Sequence, residues 1–300
     1  MTESIRQLVH NKGVSEELVI NIVKEALLAA YKKKFGSNEN AYTDIDEDNG
    51  EVRIFSRKEV VDEVTDELTE ISLEEARQIN AEAGIELNDE VLIEVRPETF
   101  DRIAIQTAKQ VVLQNLRNME KNLIYSEFKT KEGELISGTY QRERYGNIYV
   151  DLGRAEGFLP KREQSVRENY RQGDRIRAVI LEVRKAERET QIILSRANPV
   201  FIRRIFEIEV PEVADKVVEI LNISREVGYR TKLAVSSNEI DPVGACVGMK
   251  GMRIQNIVKE LEGEKIDIVR YSEDAREFIK NSLTPASCEK VLVINEEEKK

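Results

Sequence analysis

The chain has 300 residues, 40% apolar and 34% Asp, Glu, Lys or Arg, with a formal net charge of -11. That length supports two or three domains with separate cores, and no apolar run nears the roughly 18 residues a membrane-crossing helix needs. One histidine, His10, and two cysteines without metal-site spacing, Cys246 and Cys288, argue against zinc sites and histidine acid-base chemistry, so no catalytic residue, metal or cofactor is assigned.

The first residues, Met1 to Ser4, have neither a basic flank nor an apolar stretch, which predicts no secretory signal and a cytoplasmic protein without a membrane partner. Ser15 is an N-cap for a helix whose apolar face is Leu18, Val19, Ile22, Val23, Ala26, Leu27 and Ala30. Lys32, Lys33 and Lys34 lie near its C-terminal end and Gly36 stops it. Residues 41 to 70 change period: Val52, Ile54 and Phe55, then Val60, Val61 and Val64, predict short strands among acidic turns such as Asp46-Glu47-Asp48-Asn49-Gly50. From Phe100 to Phe128 apolar residues recur every three or four positions without glycine or proline, which predicts one long helix leaving the first domain.

From Gly133 the pattern is all strand. Ile148, Val150 and Leu152 alternate with Tyr149 and Asp151, and further strands are expected at Ala155 to Leu159, Arg175 to Val183 and Gln191 to Leu194. About five short strands in some 65 residues suit a small OB-type barrel. After Pro199 the pattern is mixed. A helix over Phe201 to Glu209 precedes strands at Val217 to Arg225 and Thr231 to Val235, a short helix from Pro242 to Gly248, a helix from Gly251 and a strand at Ile266 to Val269. A last helix and strand are expected between Arg276 and Asn295.

Charge is distributed unevenly. Residues 1–130 hold 27 acidic and 16 basic side chains, and the remainder hold 30 of each. An acidic segment beside a neutral, arginine-rich one suits one part that meets a protein and another that meets a polyanion, although two ordinary solvated surfaces explain the charge equally well. In the barrel, Tyr145 and Tyr149 lie on or beside the face opposite the apolar stripe, where exposed rings stack on bases at ~1–3 kcal/mol each. Arg184, Lys185 and Arg188, with Arg142 and Arg144, are placed to neutralise phosphates. Phe158, between Gly157 and Leu159, is read as core. The sharper signal is Gly248-Met249-Lys250-Gly251. Two glycines three apart between helices admit a sugar-phosphate backbone, and Lys250 and Arg253 add positive charge. The order α-β-β-α-GxxG-α-β is that of a KH domain.

With these residues in view the chain resembles the bacterial NusA family of transcription elongation, termination and antitermination factors. The most specific stretches are Thr99 to Ile103, Gln106 to Val111, Ile208 to Val213 and Ile240 to Gly251. The resemblance implies a multidomain α+β chain. Residues 1–130 would form an N-terminal α/β domain with its long connecting helix, binding RNA polymerase, and 131–198 an S1-type OB barrel. A first KH domain would occupy 199–275 and the start of an incomplete second KH domain 276–300. It further implies a monomer acting on nascent single-stranded RNA, with other Nus antitermination factors as partners. Tyr145 and Tyr149 would match the barrel's stacking aromatics, and Gly248, Met249, Lys250 and Gly251 the GxxG of the first KH domain. Pro160 stands where many S1 domains have histidine. Two alternatives compete with this reading: a ribonuclease with S1 and KH appendages, and an RNA-binding protein of translation or RNA decay that never meets polymerase.

Overall fold

The computed structural model describes residues 15–45, 52–79, 84–186, 189–292 and 294, so His10, the acidic turn Asp46 to Gly50 and Arg188 lie outside the described residues. The chain divides into two compact units, Met1–Glu120 and Lys121–Lys300.

In the first unit, helix α1 (Glu16–Phe35) follows Ser15, whose backbone is extended but whose side chain makes no capping bond. Gly36 ends it as expected, at φ 87°, its N–H donating to the Lys32 carbonyl at 2.9 Å. Strands β1 (Ala41–Ile45), β2 (Val52–Val61), β3 (Glu70–Ser72) and β4 (Glu90–Glu94) form one sheet, with β2 antiparallel to β1 and β4 and parallel to β3. The two short strands expected between Val52 and Val64 are one strand of ten residues, because neighbours on both sides give it continuous backbone partners. Helix α2 (Leu73–Ile79) was not anticipated. Its signal is the Ser72-x-x-Glu75 spacing: Ser72 Oγ accepts from Glu75 N at 3.3 Å and donates to the Glu75 carboxylate at 3.3 Å, the serine half of a capping box.

The long helix α3 (Arg102–Lys129) is capped by Asp101, whose Oδ1 accepts from Ala104 N at 2.7 Å, and its last nine residues fall in the second unit. Within the first unit, Val112, Leu116 and Met119 pack on Val19 and Ile22, while Phe100 and Ala104 pack on Ala30, Tyr31 and Ile54. Ile103 and Leu123, apolar residues of this helix, are exposed.

The second unit opens on a closed barrel of β5 (Leu135–Arg144), β6 (Asn147–Asp151), β7 (Glu156–Leu159), β8 (Arg175–Lys185) and β9 (Thr190–Ser195), in the order β5-β6-β7-β9-β8. Its core holds Ile148, Val150, Leu159, Ile176, Ile180, Ile192 and Leu194, with Phe128 of α3 joining them. Each such buried aliphatic side chain contributes about 1.5–3 kcal/mol relative to exposure. Gly138 has no room for a side chain, since a Cβ there would lie 2.5 Å from Val150 Cγ1.

An α/β domain follows: α4 (Pro199–Glu209), α5 (Pro211–Ala214), β10 (Glu219–Glu226), β11 (Arg230–Ser236), α6 (Pro242–Val247), α7 (Met252–Glu260) and β12 (Lys265–Arg270). Strand β11 is central, antiparallel to β10 and parallel to β12. Phe201, Ile202, Ile205 and Phe206 of α4 pack with Leu233, Val235, Cys246 and Ile257. Helix α8 (Ala275–Ser282) ends the regular structure, and no strand follows it among the described residues.

Buried ion pairs join the barrel to this domain. Arg196, between β9 and α4, donates to both Glu168 carboxylate oxygens at 2.6 and 2.7 Å. It also reaches Glu260 Oε1 at 3.1 Å and the Glu260 carbonyl at 2.8 Å. Its side chain is 3% exposed and that of Glu168 1%. Close by, Arg225 holds Glu264 through two 2.9 Å bonds and donates to the Arg196 carbonyl at 2.6 Å.

Candidate nucleic-acid interface

The barrel hairpin between β5 and β6 turns on two residues, Tyr145 and Gly146, with Arg144 paired to Asn147. Both have positive φ, 54° and 77°. Two-residue hairpin turns of this hand favour Asn or Gly, so a tyrosine there is held in a conformation its Cβ disfavours. The ring is 87% exposed, with the Arg144 guanidinium 5.3 Å from its centre.

Strand alternation sends Ile148 and Val150 into the core and leaves Tyr149 on the outer face. Phe158 pairs with Tyr149 across β6 and β7, and their rings lie 5.6 Å apart. Phe158 therefore belongs to the outer aromatic surface, while its neighbours Gly157 and Leu159 are buried. The signal was present in the alternation, since Leu159 at the core puts Phe158 outside. Arg142 lies over Tyr149 at 4.3 Å, though it also bonds Glu156 at 2.9 Å. Lys161 packs beside Gly146, and Gln164 donates to the Gly146 carbonyl at 2.9 Å. Tyr145, Tyr149, Phe158, Arg142, Arg144 and Lys161 thus form one aromatic and cationic surface.

Arg184 and Lys185 are elsewhere. The strand registers place the β8–β9 turn at the opposite end of the barrel from Tyr145, beside the last turns of α3. There Lys185 Nζ donates to Asn122 Oδ1 at 3.1 Å and lies 4.6 Å over the Tyr125 ring, and Arg184 pairs with Glu182.

The second surface is the loop joining α6 to α7. Asp241 caps α6, its Oδ2 accepting from Gly244 N at 3.0 Å, and Cys246 is fully buried beneath it. Burial pushes the Cys246 thiol up to about 12. Gly248 then turns the chain at φ 76° and ψ 174°, a region essentially confined to glycine. Lys250 and Gly251 follow in left-handed conformation, at φ 53° and 75°. The loop closes on itself through Gly251 N to the Gly248 carbonyl at 3.1 Å. Met249 is 84% exposed and Lys250 is exposed, so both side chains at the loop's tip face outward.

Arg253, assigned by sequence to the same cationic group, is half-buried and engaged. Its Nη1 donates to Glu212 Oε1 and Oε2 at 3.1 and 2.9 Å and to the Ala245 carbonyl at 2.7 Å. The Glu212 carboxyl is held below its ordinary range by its own backbone amide first, and by Arg253 against the opposing effect of burial. Among the described residues no group of three or more His, Cys, Asp or Glu side chains is arranged to hold a metal ion. No described helix is long and apolar enough to cross a membrane.

A closed five-stranded barrel carrying an outer aromatic face, followed by an α-β-β-α-GxxG-α-β domain, defines a protein of the S1 and KH class of RNA binders. The models of the corresponding families match in that order: the NusA N-terminal domain over residues 1–122, the S1 RNA binding domain over 129–196 and the NusA-like first KH domain over 196–271. The chain belongs to the NusA family. The transcription termination/antitermination protein NusA of Halalkalibacterium halodurans is 48% identical over 99% of this chain and 78% of its own length. That of Bacillus subtilis is 46% identical over 100% of this chain and 80% of its own. That of Borreliella burgdorferi is 44% identical over 98% of this chain, which spans 60% of that relative. The solution structure of the N-terminal domain of NusA from B. subtilis, 45% identical, covers 39% of this chain and 94% of its own at a TM-score of 0.29. The chain is accordingly an RNA-binding factor of transcription termination and antitermination.

Proposed function

We propose that this factor docks on RNA polymerase through its acidic first unit and holds emerging single-stranded RNA on two surfaces, so modulating pausing, termination and antitermination. Tyr145, Tyr149 and Phe158 stack on bases, while Arg142, Arg144 and Lys161 offset phosphate charge. The Gly248 to Gly251 loop clamps the sugar-phosphate backbone, with Lys250 as its cation. Arg184 and Lys185, tied to partners at the far end of the barrel, are outside this footprint. The factor works as a cytoplasmic monomer, catalyses no reaction, and joins other Nus factors in antitermination.

The loop carries the reading: Met249 and Lys250 stand exposed at the tip of a turn whose Gly248 backbone conformation is essentially confined to glycine. Support for the polymerase arm comes from family membership and from the 27 acidic against 16 basic residues in 1–130.

Anisotropy of a labelled single-stranded RNA across a salt series, with a double Met249→Asp and Lys250→Asp variant, tests the RNA arm. Weaker binding with a flatter salt slope is expected, and unchanged binding refutes the loop as the clamp. For the polymerase arm, the whole chain immobilised after ribonuclease treatment is expected to retain purified polymerase. Failure to do so favours the translation- or decay-associated alternative.

A further inference from the structure

We propose that Arg253 and Glu212 form a positioning clamp that holds the GxxG loop in its RNA-receptive shape, with Arg253 making no phosphate contact of its own. The inference rests on the loop being the RNA clamp and assigns a role to two residues outside it.

Three observations converge. The guanidinium of Arg253 is directed inward, its Nη1 shared between the Glu212 carboxylate and the Ala245 carbonyl, the last but two before Gly248. Ala245 belongs to α6 and Glu212 to α5, so one side chain ties the start of α7 to both short helices behind the loop. The aliphatic stem of Arg253 lies directly against Gly248. A Cβ on that glycine would meet Arg253 Cγ at 2.7 Å and Cδ at 2.9 Å.

The loop itself has few internal restraints. Gly251 N to the Gly248 carbonyl closes it at 3.1 Å, and Gly248 N bonds Gly244 at 2.9 Å. Both of its glycines have wide backbone freedom, which any ligand must remove on binding. A stem packed on one glycine, anchored by charge-assisted bonds to neighbouring helices, removes part of that freedom beforehand. The charge of Arg253 is meanwhile offset by Glu212, 2.9 Å away, which leaves Lys250 as the loop's outward cation.

The clamp and a phosphate contact predict opposite responses to one substitution. Glu212→Gln removes a negative charge near the RNA. If Arg253 acts on phosphate, freeing it tightens RNA binding at low salt; if the pair is a clamp, loosening the loop weakens binding about tenfold, the low end of what one charge-assisted hydrogen bond contributes. Arg253→Met keeps the stem over Gly248 but loses its donors, and it is expected to weaken binding with an unchanged salt slope. Lys250→Met, by contrast, is expected to flatten the slope of log K against log salt by about 0.7, the value for one phosphate on a single strand.

The three variants and the unsubstituted chain are titrated with the same labelled oligoribonucleotide across the salt series, each after thermal unfolding confirms a folded domain. Tighter or unchanged binding by Glu212→Gln overturns the clamp, as does a slope change of about 0.7 in Arg253→Met. An unchanged Lys250→Met instead refutes the loop as RNA clamp, so the two failures are distinguishable. Should Glu212→Gln fail to fold, Arg253→Met decides through its slope alone.

Discussion

Replacing Arg225 with methionine preserves most of the side chain's bulk while stranding a carboxylate. Glu264 has 0% exposed side chain and receives two hydrogen bonds from Arg225 at 2.9 Å, one from Gly228 N at 2.8 Å and one from the Thr231 hydroxyl. Removing one partner of such a pair costs about 3–5 kcal/mol, because the remaining charge is neither solvated nor compensated. Hydrogen exchange of peptides from β11 and β12 reads this domain alone, and protection there is expected to fall by about two to three and a half decades, at about 1.4 kcal/mol per decade. A fall of less than tenfold would refute the claim that the pair is needed as a charged unit. Acid gives a second handle. Burial pushes the Glu264 pKa up, but hydrogen bonds from Arg225 and Thr231, the charge of Arg225 and the Gly228 amide outweigh it and hold it below its ordinary value of 4.5. A carboxylate with a depressed folded pKa stabilises above its unfolded pKa, and that stability is lost as pH falls through the folded value. Protection in the unsubstituted chain should therefore decline below about pH 4.5, and the same decline should be shallower in Glu264→Gln.

Tyr149→Ala should weaken single-strand RNA binding by ~1–3 kcal/mol without altering the salt slope, as measured by anisotropy, because a stacking ring is lost and no phosphate contact is. Tyr145→Asn should raise the melting temperature, since asparagine tolerates the left-handed turn, while weakening RNA binding; a variant that gains stability and keeps full affinity removes Tyr145 from the interface. Cys246, buried with its thiol pushed up to about 12, should resist alkylation by iodoacetamide at pH 8 in the folded chain while the half-buried Cys288 reacts, so mass spectrometry should find one adduct until denaturant is added.

The elements with strong periodicity or glycine punctuation were legible in the sequence. Gly36, the long helix from Arg102 to Lys129 and the alternation through Ile148 and Val150 each mark local physics that tertiary packing leaves intact. The GxxG loop was legible for the same reason, since glycine at Gly248 records a backbone conformation other residues avoid. Strand β4 and helix α2 were missed because short elements in acidic surroundings take their stability from neighbours. Side-chain pairing was the least legible. Arginine has the same letter whether it faces solvent or a buried carboxylate, so Arg253 and Lys185 read as free cations although their partners, Glu212 and Asn122, lie 41 and 63 residues away. Phe158 was misplaced on composition, and the alternation of its own strand gives the right face.

Arg196 belongs to the backbone joining the barrel to the KH domain, yet its side chain is consumed by contacts to both. Sliding at that junction would expose a buried charge, a cost that opposes changes in the separation of the barrel's aromatic face and the GxxG loop. On the proposed reading, in which both surfaces hold RNA, the pair is a ruler laid along the transcript. Once a strand is caught at one mark, the chance of reaching the other depends on the slack of the RNA between them and not on motion of the protein. On that reading, spacing between recognised segments becomes information available without contact to the intervening bases.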